Sequence, residues 1–548
     1  MRFFMGLVLT LALGVMGCSE TSGTGGTAGM GGGGVGGDGG YGGMGGEGGS
    51  GGSAVTGCTG VEDGTDCFGF ELMGLCVAGS CEMLERCEND AFCRDYNDCR
   101  ADTCLSNGLC EEGGTVQDGT PCAGGTCHGG ECVLTTAVLP CTEQGVRNAI
   151  AAGGGPYTFA CDGPTTVVTV AKIVVDNDVI LDGESKLVLD GNEHHGVFLV
   201  AEGVTAELRG LTATRGVGGI GNSGTLTLTN CAVSGNTPFG QNIGGRGVVN
   251  SGTMTITDST VSGNSARSRG GGIRNSSRGV LTLTNSIVSG NSANGGGGIF
   301  NERGTVTLTN STVSGNTASG GDGGGGISSS GGTLTLTNCT VSANHAEGGG
   351  GIHSYDSTVT LTNTTLFGNH AEAGGAINNQ GQDGGGALTL MNSTLSGNTA
   401  TFGGGIFTTS SVTLGNSTVS GNAGAAILTC WAKVTLANSV LGGDCDIDSS
   451  CPGGDIVSAG YNIESEGDTC GFDQLTDQVD VSADDLKLGP LQDNGGPTET
   501  HALGAGSVAI DVIPAVDCVD ADDQPLTTDQ RGFPRDSMCD VGAFEVQP

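Results

Sequence analysis

Two histidines and two glutamates recur at matching places in a repeated sequence. His345 and Glu347 belong to the phrase NHAE, and His370 and Glu372 belong to the phrase NHAE that returns 25 residues later. Imidazole nitrogens and carboxylate oxygens ligate transition metals, and the same groups transfer protons in general acid–base catalysis. If the repeats stack in register, the four side chains lie together as a candidate metal or proton-transfer site. The alternative is a duplicated turn, because the alanine between each His and Glu is repeated as well.

A sequence repeat supplies the elements that would position these side chains. Between residues 204 and 441 one phrase returns about nine times, for example as TLTLTNCAVSGN from Thr225 and TVTLTNSTVSGN from Thr305. The step is 24–29 residues, and a second phrase, GGGI, follows the same period. Repeats of this length indicate units that stack on their neighbours. Within the phrase apolar and polar residues alternate, which is typical of a half-buried strand.

Three short strands and three turns fit into each repeat. This predicts an all-β fold, a right-handed parallel β-helix or pectin-lyase-like solenoid, over residues 165–460. About twelve coils, spaced at roughly 4.8 Å, would form a rod of roughly 55–60 Å. Identical residues of successive coils then lie in columns, and the Leu, Val and Ile rows share one continuous core.

Two columns of asparagine are predicted to be structural. Asparagine tolerates left-handed backbone angles, and stacked amides can hydrogen-bond along a ladder. The first column follows the first strand and consists of Asn230, Asn285, Asn310, Asn338, Asn363, Asn392, Asn416 and Asn438; the second ends the second strand and consists of Asn236, Asn264, Asn291, Asn316, Asn344, Asn369, Asn398 and Asn422.

Columns of threonine are a second candidate functional feature. All nine units have Thr at one outward position, namely Thr227, Thr255, Thr282, Thr307, Thr335, Thr360, Thr389, Thr413 and Thr435, and Thr229, Thr257, Thr284, Thr309, Thr337 and Thr362 add a parallel column. Flat double columns of this kind resemble those of ice-binding β-helices. The alternative is that threonine is simply a good exposed strand residue.

Three other groups of residues could carry chemistry. His194 and His195 lie in a predicted early turn, DGNEHHGVF. Six arginines concentrate in adjoining coils, either as a groove for an acidic glycan or as a solvated turn face: Arg246, Arg267, Arg269, Arg274, Arg278 and Arg303. Four aspartates suggest calcium but lack the Gly and distal Glu of an EF-hand loop: Asp517, Asp520, Asp522 and Asp523. We predict no catalytic residue and no cofactor.

Composition restricts the possible partners. The 548 residues include 110 glycines and have a net charge of −39. Such a charge disfavours nucleic acid and anionic membrane surfaces as partners. Aromatic residues make up 4% of the chain, and Trp431 is the sole tryptophan, so platforms for stacking sugars are scarce. We expect a monomer.

The N-terminal segment has the features of an export signal. Residues 1–18 contain an apolar run too short to span a membrane as a helix. The end of this run, VMGC, resembles the bacterial lipobox, which implies cleavage before Cys18 and attachment of lipid to that residue; the alternative is an ordinary secretory signal. Residues 19–57 are rich in glycine and predict a flexible stalk with a span of roughly 35 Å.

Residues 58–132 contain twelve cysteines, which behind an export signal predict a disulfide framework. Their spacing resembles that of small EGF-like or dickkopf-like modules. The alternative is metal binding, although the segment lacks a C-x-x-C pair. Residues 133–164 predict a cap with a short amphipathic helix, in which Val146, Ala149 and Ile150 share one face.

Cysteines outside this module are predicted to form three local bridges: Cys141–Cys161, Cys445–Cys451 and Cys518–Cys539. Cys231 and Cys339 fall at the same place in coils four apart, roughly 19 Å from one another, which exceeds the reach of a disulfide. We expect both to be buried thiols.

Residues 461–548 break the repeat with the phrases LGPLQDNGGPTETHALGAGSVAID and TDQRGFPRDSMCDVGAFE. Here the chain resembles the choice-of-anchor Q family, and the preceding repeats resemble those of polymorphic outer-membrane proteins. These resemblances imply a β-helical protein of the cell surface or outer membrane, held there by lipid on Cys18.

The function predicted is non-catalytic adhesion or envelope interaction, with a glycan or cell-surface ligand. The alternatives are a β-helical polysaccharide lyase or glycoside hydrolase, and an ice-binding protein.

Overall fold

The computed structural model describes residues 136–238, 246–321, 323–382, 385–448, 451, 453–520 and 523–548, together with short strands and single turn residues between 66 and 134. The chain divides into two units, Met1–Leu84 and Glu85–Pro548. The predicted signal, the predicted stalk and Cys18 lie outside the described residues. Within those residues, no helix combines the length and apolar character needed to cross a membrane.

Short antiparallel strands form small sheets within the cysteine-rich sequence. In the first unit they are Asp66–Phe68, Met73–Val77 and Ser80–Glu82. In the second unit they are Thr103–Cys104 with Cys110–Glu111, and Pro121–Cys122 with Gly125–His128 and Glu131–Leu134. A disulfide joins Cys122 and Cys132, with Cα atoms 5.9 Å apart.

The second unit contains the predicted parallel β-helix. Its strands form three rows, in which each strand pairs in parallel with strands of the coils before and after it. The first row contains Val138–Pro140, Gly154–Ala160, Val179–Asp190, Thr205–Thr214, Thr225–Thr229, Thr253–Thr257, Val280–Thr284, Thr305–Thr309, Thr333–Thr337, Thr358–Thr362, Ala387–Met391, Ser411–Gly415, Lys433–Ala437 and Asp455–Ser458.

The second row begins with Thr165–Val168 and continues through the ends of the two long strands Val179–Asp190 and Thr205–Thr214. It then contains Ala232–Ser234, Thr260–Ser262, Ile287–Ser289, Thr312–Ser314, Thr340–Ser342, Thr365–Phe367, Thr394–Ser396, Thr418–Ser420, Val440–Gly442, Ile463–Ser465 and Gln478–Val481. The last two strands extend the row beyond residue 460.

The third row has 12 strands, which confirms the predicted number of coils. They are Ile173–Val175, Gly196–Val200, Gly218–Asn222, Val248–Asn250, Ile273–Asn275, Ile299–Glu302, Ile327–Ser330, Ile352–Tyr355, Ile377–Gln380, Ile406–Thr408, Ile427–Thr429 and Cys445–Ile447. An isoleucine begins eight of these twelve strands, five times as the last residue of a GGGI phrase, and all eight are buried.

The alternating pattern explains why these segments stack. Leu226 and Leu228 are fully buried, and they pair with Met254 and Ile256 of the next coil. Burying an aliphatic side chain of this size contributes roughly 1.5–3 kcal/mol relative to leaving it exposed. A single coil has no neighbour to bury these residues, so stability depends on stacking.

Both predicted asparagine columns are present. Residues of the first column have positive φ angles, for example 49° at Asn310. In the second column each amide bonds to the next along the coils, and the Nδ2 of Asn291 donates to the Oδ1 of Asn316 over 3.0 Å. A third buried amide ladder was not predicted: Asn222, Asn250, Asn275 and Asn301 bond in series.

The predicted amphipathic helix is confirmed as Glu143–Ala152. Thr142 is its N-cap residue, and the hydroxyl of that residue accepts a hydrogen bond from the Gly145 N–H. Val146, Ala149 and Ile150 are buried, as the helical spacing predicted. The predicted Cys141–Cys161 bridge is also present, with Cα atoms 5.1 Å apart.

The remaining cysteines correct one prediction. Cys445 bonds to Cys470 rather than to Cys451, whose partner is Cys430. Cys445 and Cys470 are separated by 25 residues, the length of one coil, so stacking makes them close neighbours although they are distant in sequence. The Cys518–Cys539 bridge is confirmed.

Cys231 and Cys339 are unpaired and buried, as predicted. Burial raises the pKa of each thiol to about 11.

The C-terminal residues fold back along the last coils. The described residues from 487 to 548, named here the C-terminal strap, follow helix Ala483–Leu486. The strap contains two antiparallel pairs, Leu488–Gln492 with Thr500–Leu503 and Ile513–Pro514 with Met538–Cys539. Asparagines of the first column hold it: the Nδ2 atoms of Asn392, Asn416 and Asn438 donate to the carbonyls of Thr528, Val519 and Asp517 over 2.9–3.0 Å.

Candidate functional site

A short fourth ladder positions the candidate His/Glu cluster. It lies between the second-row and third-row strands, where isolated parallel bridges connect Thr317 to His345, His345 to His370 and His370 to Thr399. The next residue in each coil is a buried alanine, such as Ala346, which anchors the turn to the core. The flanking residues then point outward, because successive strand residues face opposite sides.

The structure brings the two histidines together as the repeat predicted. The imidazole rings of His345 and His370 are stacked, with centroids 4.9 Å apart and planes 5° from parallel. The N–H of Glu372 donates to the carbonyl of Glu347 over 2.9 Å, so the glutamates also lie on adjacent coils. Each glutamate follows its histidine by two residues and shares its outward face. All four residues are exposed.

The four side chains do not converge on one point. Within the described part of the chain, Cys430, Asp448 and Cys451 are the group whose three potential ligand atoms lie within 4.8 Å of one another. Both cysteines of that group belong to a disulfide, which removes the thiolates that a metal would require. His345 and His370 offer two parallel imidazoles, and a metal site that includes Glu347 or Glu372 stays a prediction.

In the early histidine pair, His194 and His195, the second histidine makes contacts that hold its turn in place. His195 bridges two backbone carbonyls, with Nδ1 3.0 Å from the Gly196 oxygen and Nε2 3.0 Å from the Thr169 oxygen. These contacts tie the turn to the preceding coil. His194 is exposed.

The predicted calcium group lines an open groove of about 510 Å³ between the strap and the last coils. Asp517, Asp520 and Asp523 face this groove, and Asp522 lies outside the described residues. The Tyr461 hydroxyl donates to the Asp517 carboxylate over 2.9 Å. These aspartates do not form a three-ligand group within 4.8 Å in the described part of the chain.

Over part of its length, the outer face of the first row is a regular surface made almost entirely of threonine. Six consecutive strands supply three outward positions each, and 17 of these 18 positions are threonine. This surface, named here the Thr face, consists of the outward residues of Thr225–Thr229, Thr253–Thr257, Val280–Thr284, Thr305–Thr309, Thr333–Thr337 and Thr358–Thr362. The register is unbroken, with Thr227 opposite Thr255 and Thr307 opposite Thr335.

Each threonine of the Thr face is exposed or half-exposed, and the face contains no charged residue. Its third column, which begins with Thr225 and includes the one valine, was not predicted to contribute. The signal was in the sequence, because the phrase begins with Thr in five of these six coils.

Comparisons with known proteins add little to this description. No protein-family model matches the chain, and no curated protein matches it significantly. A solved structure, that of the pectate lyase Pel9A, matches with a TM-score of 0.32 and 16% sequence identity, over 73% of this chain and 90% of that chain. We infer no activity from this match. The resemblances to the choice-of-anchor Q family and to polymorphic outer-membrane protein repeats stay predictions.

Proposed function

We propose that this protein is a non-catalytic cell-surface protein whose β-helix adheres to an extended, uncharged partner through the Thr face. The supporting observation is the unbroken register of three threonine columns over six coils. A neutral polysaccharide of a cell envelope is a partner of the required chemistry, because its hydroxyl groups both donate and accept hydrogen bonds along a repeating chain.

The Thr face suits such a partner for two physical reasons. Hydroxyls recur at roughly 4.8 Å from coil to coil and at roughly 6–7 Å along each strand, which matches a ligand with repeating polar groups. β-Branched side chains in a sheet have restricted χ1 angles, so little side-chain entropy is lost when they bind. Each hydroxyl contributes only about 1 kcal/mol, and useful affinity requires many of them.

Isosteric removal of hydroxyls tests this proposal. The triple substitution Thr282→Val, Thr307→Val and Thr335→Val removes three hydroxyls from the centre of the face and keeps side-chain volume and strand propensity. We expect adsorption to insoluble cellulose or chitin to weaken by more than about tenfold.

The matched control is Thr260→Val, Thr312→Val and Thr340→Val, which alters half-exposed threonines of the second row. Adsorption should survive in the control. Equal losses in both triple variants would reject the Thr face as the binding surface.

Ice binding is a second candidate, favoured by the same three columns. The measurement is thermal hysteresis of the wild-type protein and the Thr282→Val, Thr307→Val, Thr335→Val variant. Hysteresis in the wild type alone would establish ice as the ligand. A wild-type value of zero would remove this candidate.

Attachment to the cell surface forms part of the proposal and is supported by the lipobox resemblance at Cys18. Fractionation of cells that express wild type or Cys18→Ala tests it, and we expect the substitution to release the protein from the outer membrane. The non-catalytic character is tested with acidic polysaccharides: cleavage that disappears in His345→Ala/His370→Ala would replace adhesion with a lyase or hydrolase function.

A further inference from the structure

Three consecutive coils have a charge opposite to that of the rest of the protein. Residues 246–303 contain six arginines and two carboxylates, a net charge of +4 in a chain whose net charge is −39. One carboxylate, Asp258, lies at the turn between the first and second rows, away from the third row. The six arginines are named here the basic face: Arg246, Arg267, Arg269, Arg274, Arg278 and Arg303.

The topology places these arginines on one side of the coils. Arg246, Arg267 and Arg269 precede third-row strands, and Arg274 is the outward residue of strand Ile273–Asn275. The remaining two arginines lie in the turns that follow third-row strands. A three-residue strand spans only about 10 Å, so both turns border one surface.

Contacts hold three of the guanidinium groups in place. Nε of Arg246 donates to the Arg269 carbonyl over 2.9 Å, and its Nη2 bonds to the hydroxyl of Ser268. The Arg269 guanidinium lies 5.1 Å from the centre of the Phe300 ring. Nη2 of Arg274 donates to Glu302 over 2.8 Å. Binding a ligand would therefore immobilise fewer side-chain torsions than at an unstructured basic surface.

At the other border of the basic face, two arginines occupy turn positions whose φ angles are unfavourable for arginine. Arg278 and Arg303 have φ angles of 71° and 54°. The same turn position in the next two coils has Gly331, with φ of 66°, and Asp356, with φ of 48°. Positive φ is uncommon for residues other than Gly, Asn and Asp. Neither arginine forms an ion pair in the described part of the chain.

We propose that the basic face binds an acidic polysaccharide, through carboxylate or sulfate groups that repeat along the chain. The planar guanidinium fork can donate two parallel hydrogen bonds to either anion. The large negative charge of the whole protein repels a densely charged duplex or an anionic bilayer. A single glycan chain is narrow enough to lie across these three coils, where the local net charge is +4. This site lies on a different row from the Thr face, so each can fail without the other.

Glycine substitutions test the proposal without threatening the fold. Arg278→Gly/Arg303→Gly removes two charges, and glycine adopts positive φ without a steric penalty. The full-length protein is measured against immobilised alginate, which supplies carboxylates, dextran sulfate, which supplies sulfates, and neutral dextran. We expect the wild type to bind at least one polyanion and the double variant to bind it about tenfold more weakly. Neutral dextran is the uncharged control, and the substitutions should not change any binding to it.

The control is Lys186→Ser/Arg209→Ser, which also removes two positive charges, from coils that precede the basic face. Each of these residues pairs with a glutamate of its own strand, Glu184 or Glu207. Unchanged affinity in the control supports a local site, and the preferred polyanion distinguishes carboxylate from sulfate. Equal weakening in the two double variants would show that only total charge matters and would overturn the proposal. Failure of the wild type to bind either polyanion would overturn it as well.

Discussion

Buried asparagine side chains form hydrogen-bond ladders that join successive coils of this fold. The Asn291 side chain donates to the Asn316 Oδ1 and to the Val261 carbonyl, both over 3.0 Å. Its own Oδ1 accepts from the backbone N–H and the Nδ2 of Asn264, over 2.9 and 3.0 Å. One side chain therefore bonds to polar groups on the two coils that flank its own.

Removing one amide from the ladder should cost more than removing an exposed one. For Asn291→Ala we expect the free energy of unfolding to fall by about 3–5 kcal/mol, because several buried groups lose their partners and each costs about 1–3 kcal/mol. Chemical denaturation measures the change. The control is Asn310→Gly in the exposed first column, where φ is 49° and glycine fits. A control loss as large as that of Asn291→Ala would contradict a special role for the buried ladder.

His501 is a buried histidine that joins the strap to the β-helix. Its Nε2 lies 2.9 Å from the Ser396 hydroxyl oxygen, and its Nδ1 lies 2.6 Å from the Gly489 carbonyl. Burial lowers the pKa of this imidazole below its ordinary value of 6.5. The folded state therefore binds fewer protons than the unfolded state, and the stability contributed by neutral His501 is lost as pH falls from 6.5 through the folded pKa.

We expect the wild type to lose more thermal stability between pH 7 and pH 5 than His501→Gln, which has no group that titrates there. Melting temperatures at the two pH values measure the difference. The carboxyls of Asp540 and Glu545, whose pKa values burial raises, are common to both proteins and cancel in the comparison. An identical pH dependence in both proteins would contradict the assignment to His501.

Single residues also show why sequence reasoning recovered some ladders and missed others. The Asn236 column was predicted because Asn ends the same phrase in eight coils. The Asn222 column was missed because its phrase changes from coil to coil. After Asn301 the same position has Ser329, whose hydroxyl accepts a hydrogen bond from the Asn301 Nδ2, then Ser354, and only then Asn379. The ladder needs only a polar side chain at the equivalent position of each coil, and that residue need not be asparagine. A search for one repeated residue type therefore misses part of it.

At the scale of elements, the strap is the feature that repeats could not predict. It contains no copy of the phrase, and its contacts with the coils join residues more than 100 positions apart, such as Thr394 and Gln530. Its own stability depends on a buried ionic group. Nη1 of Arg535 lies 3.1 Å from the Glu545 carboxylate, and both side chains are 1% exposed. Nη2 of Arg535 donates to Asn392 of the β-helix.

Breaking this ionic group should release the strap. In Arg535→Met the Glu545 carboxylate stays buried without its cation, a change that typically costs about 3–5 kcal/mol. We expect protease cleavage within residues 487–548 at concentrations that leave the earlier coils intact. The control is Lys186→Met, which breaks an ion pair with Glu184 whose two side chains are 42% and 45% exposed, and it should cost less than about 1 kcal/mol. Cleavage that began in the coils of either variant would contradict independent release of the strap.

The His345/His370 ladder shows what the sequence spacing predicts about an element and what it does not. Sequence spacing placed the histidines on adjacent coils, because 25 residues is one full turn of this helix. It did not reveal that this turn pairs with its neighbours through parallel bridges, since the residues that His345 and His370 pair with in the flanking coils are threonines, Thr317 and Thr399. Nor did spacing show that the rings stack, since that depends on side-chain torsions.

At the scale of the whole β-helix, twelve stacked coils share one core, and each coil is stabilised mainly by its two neighbours. The first coil has a neighbour on one side only. Helix Glu143–Ala152 covers it, and Cys141–Cys161 holds that helix in place. The cap therefore protects strand edges that would otherwise pair with another chain.

Removing the cap's disulfide should affect both stability and association. For Cys141→Ser/Cys161→Ser we expect the first coils to lose about 3 kcal/mol, the entropic value of a closed loop of this length. Transient opening of the cap should then expose the first-row edge, and light scattering should show association that increases with protein concentration. Cys518→Ser/Cys539→Ser opens a loop of nearly equal length in the strap, with a separation of 21 residues against 20. That variant should lose similar stability but stay monodisperse, because no first-row edge is uncovered; comparable association in both would mean that partial unfolding, rather than the exposed edge, drives it.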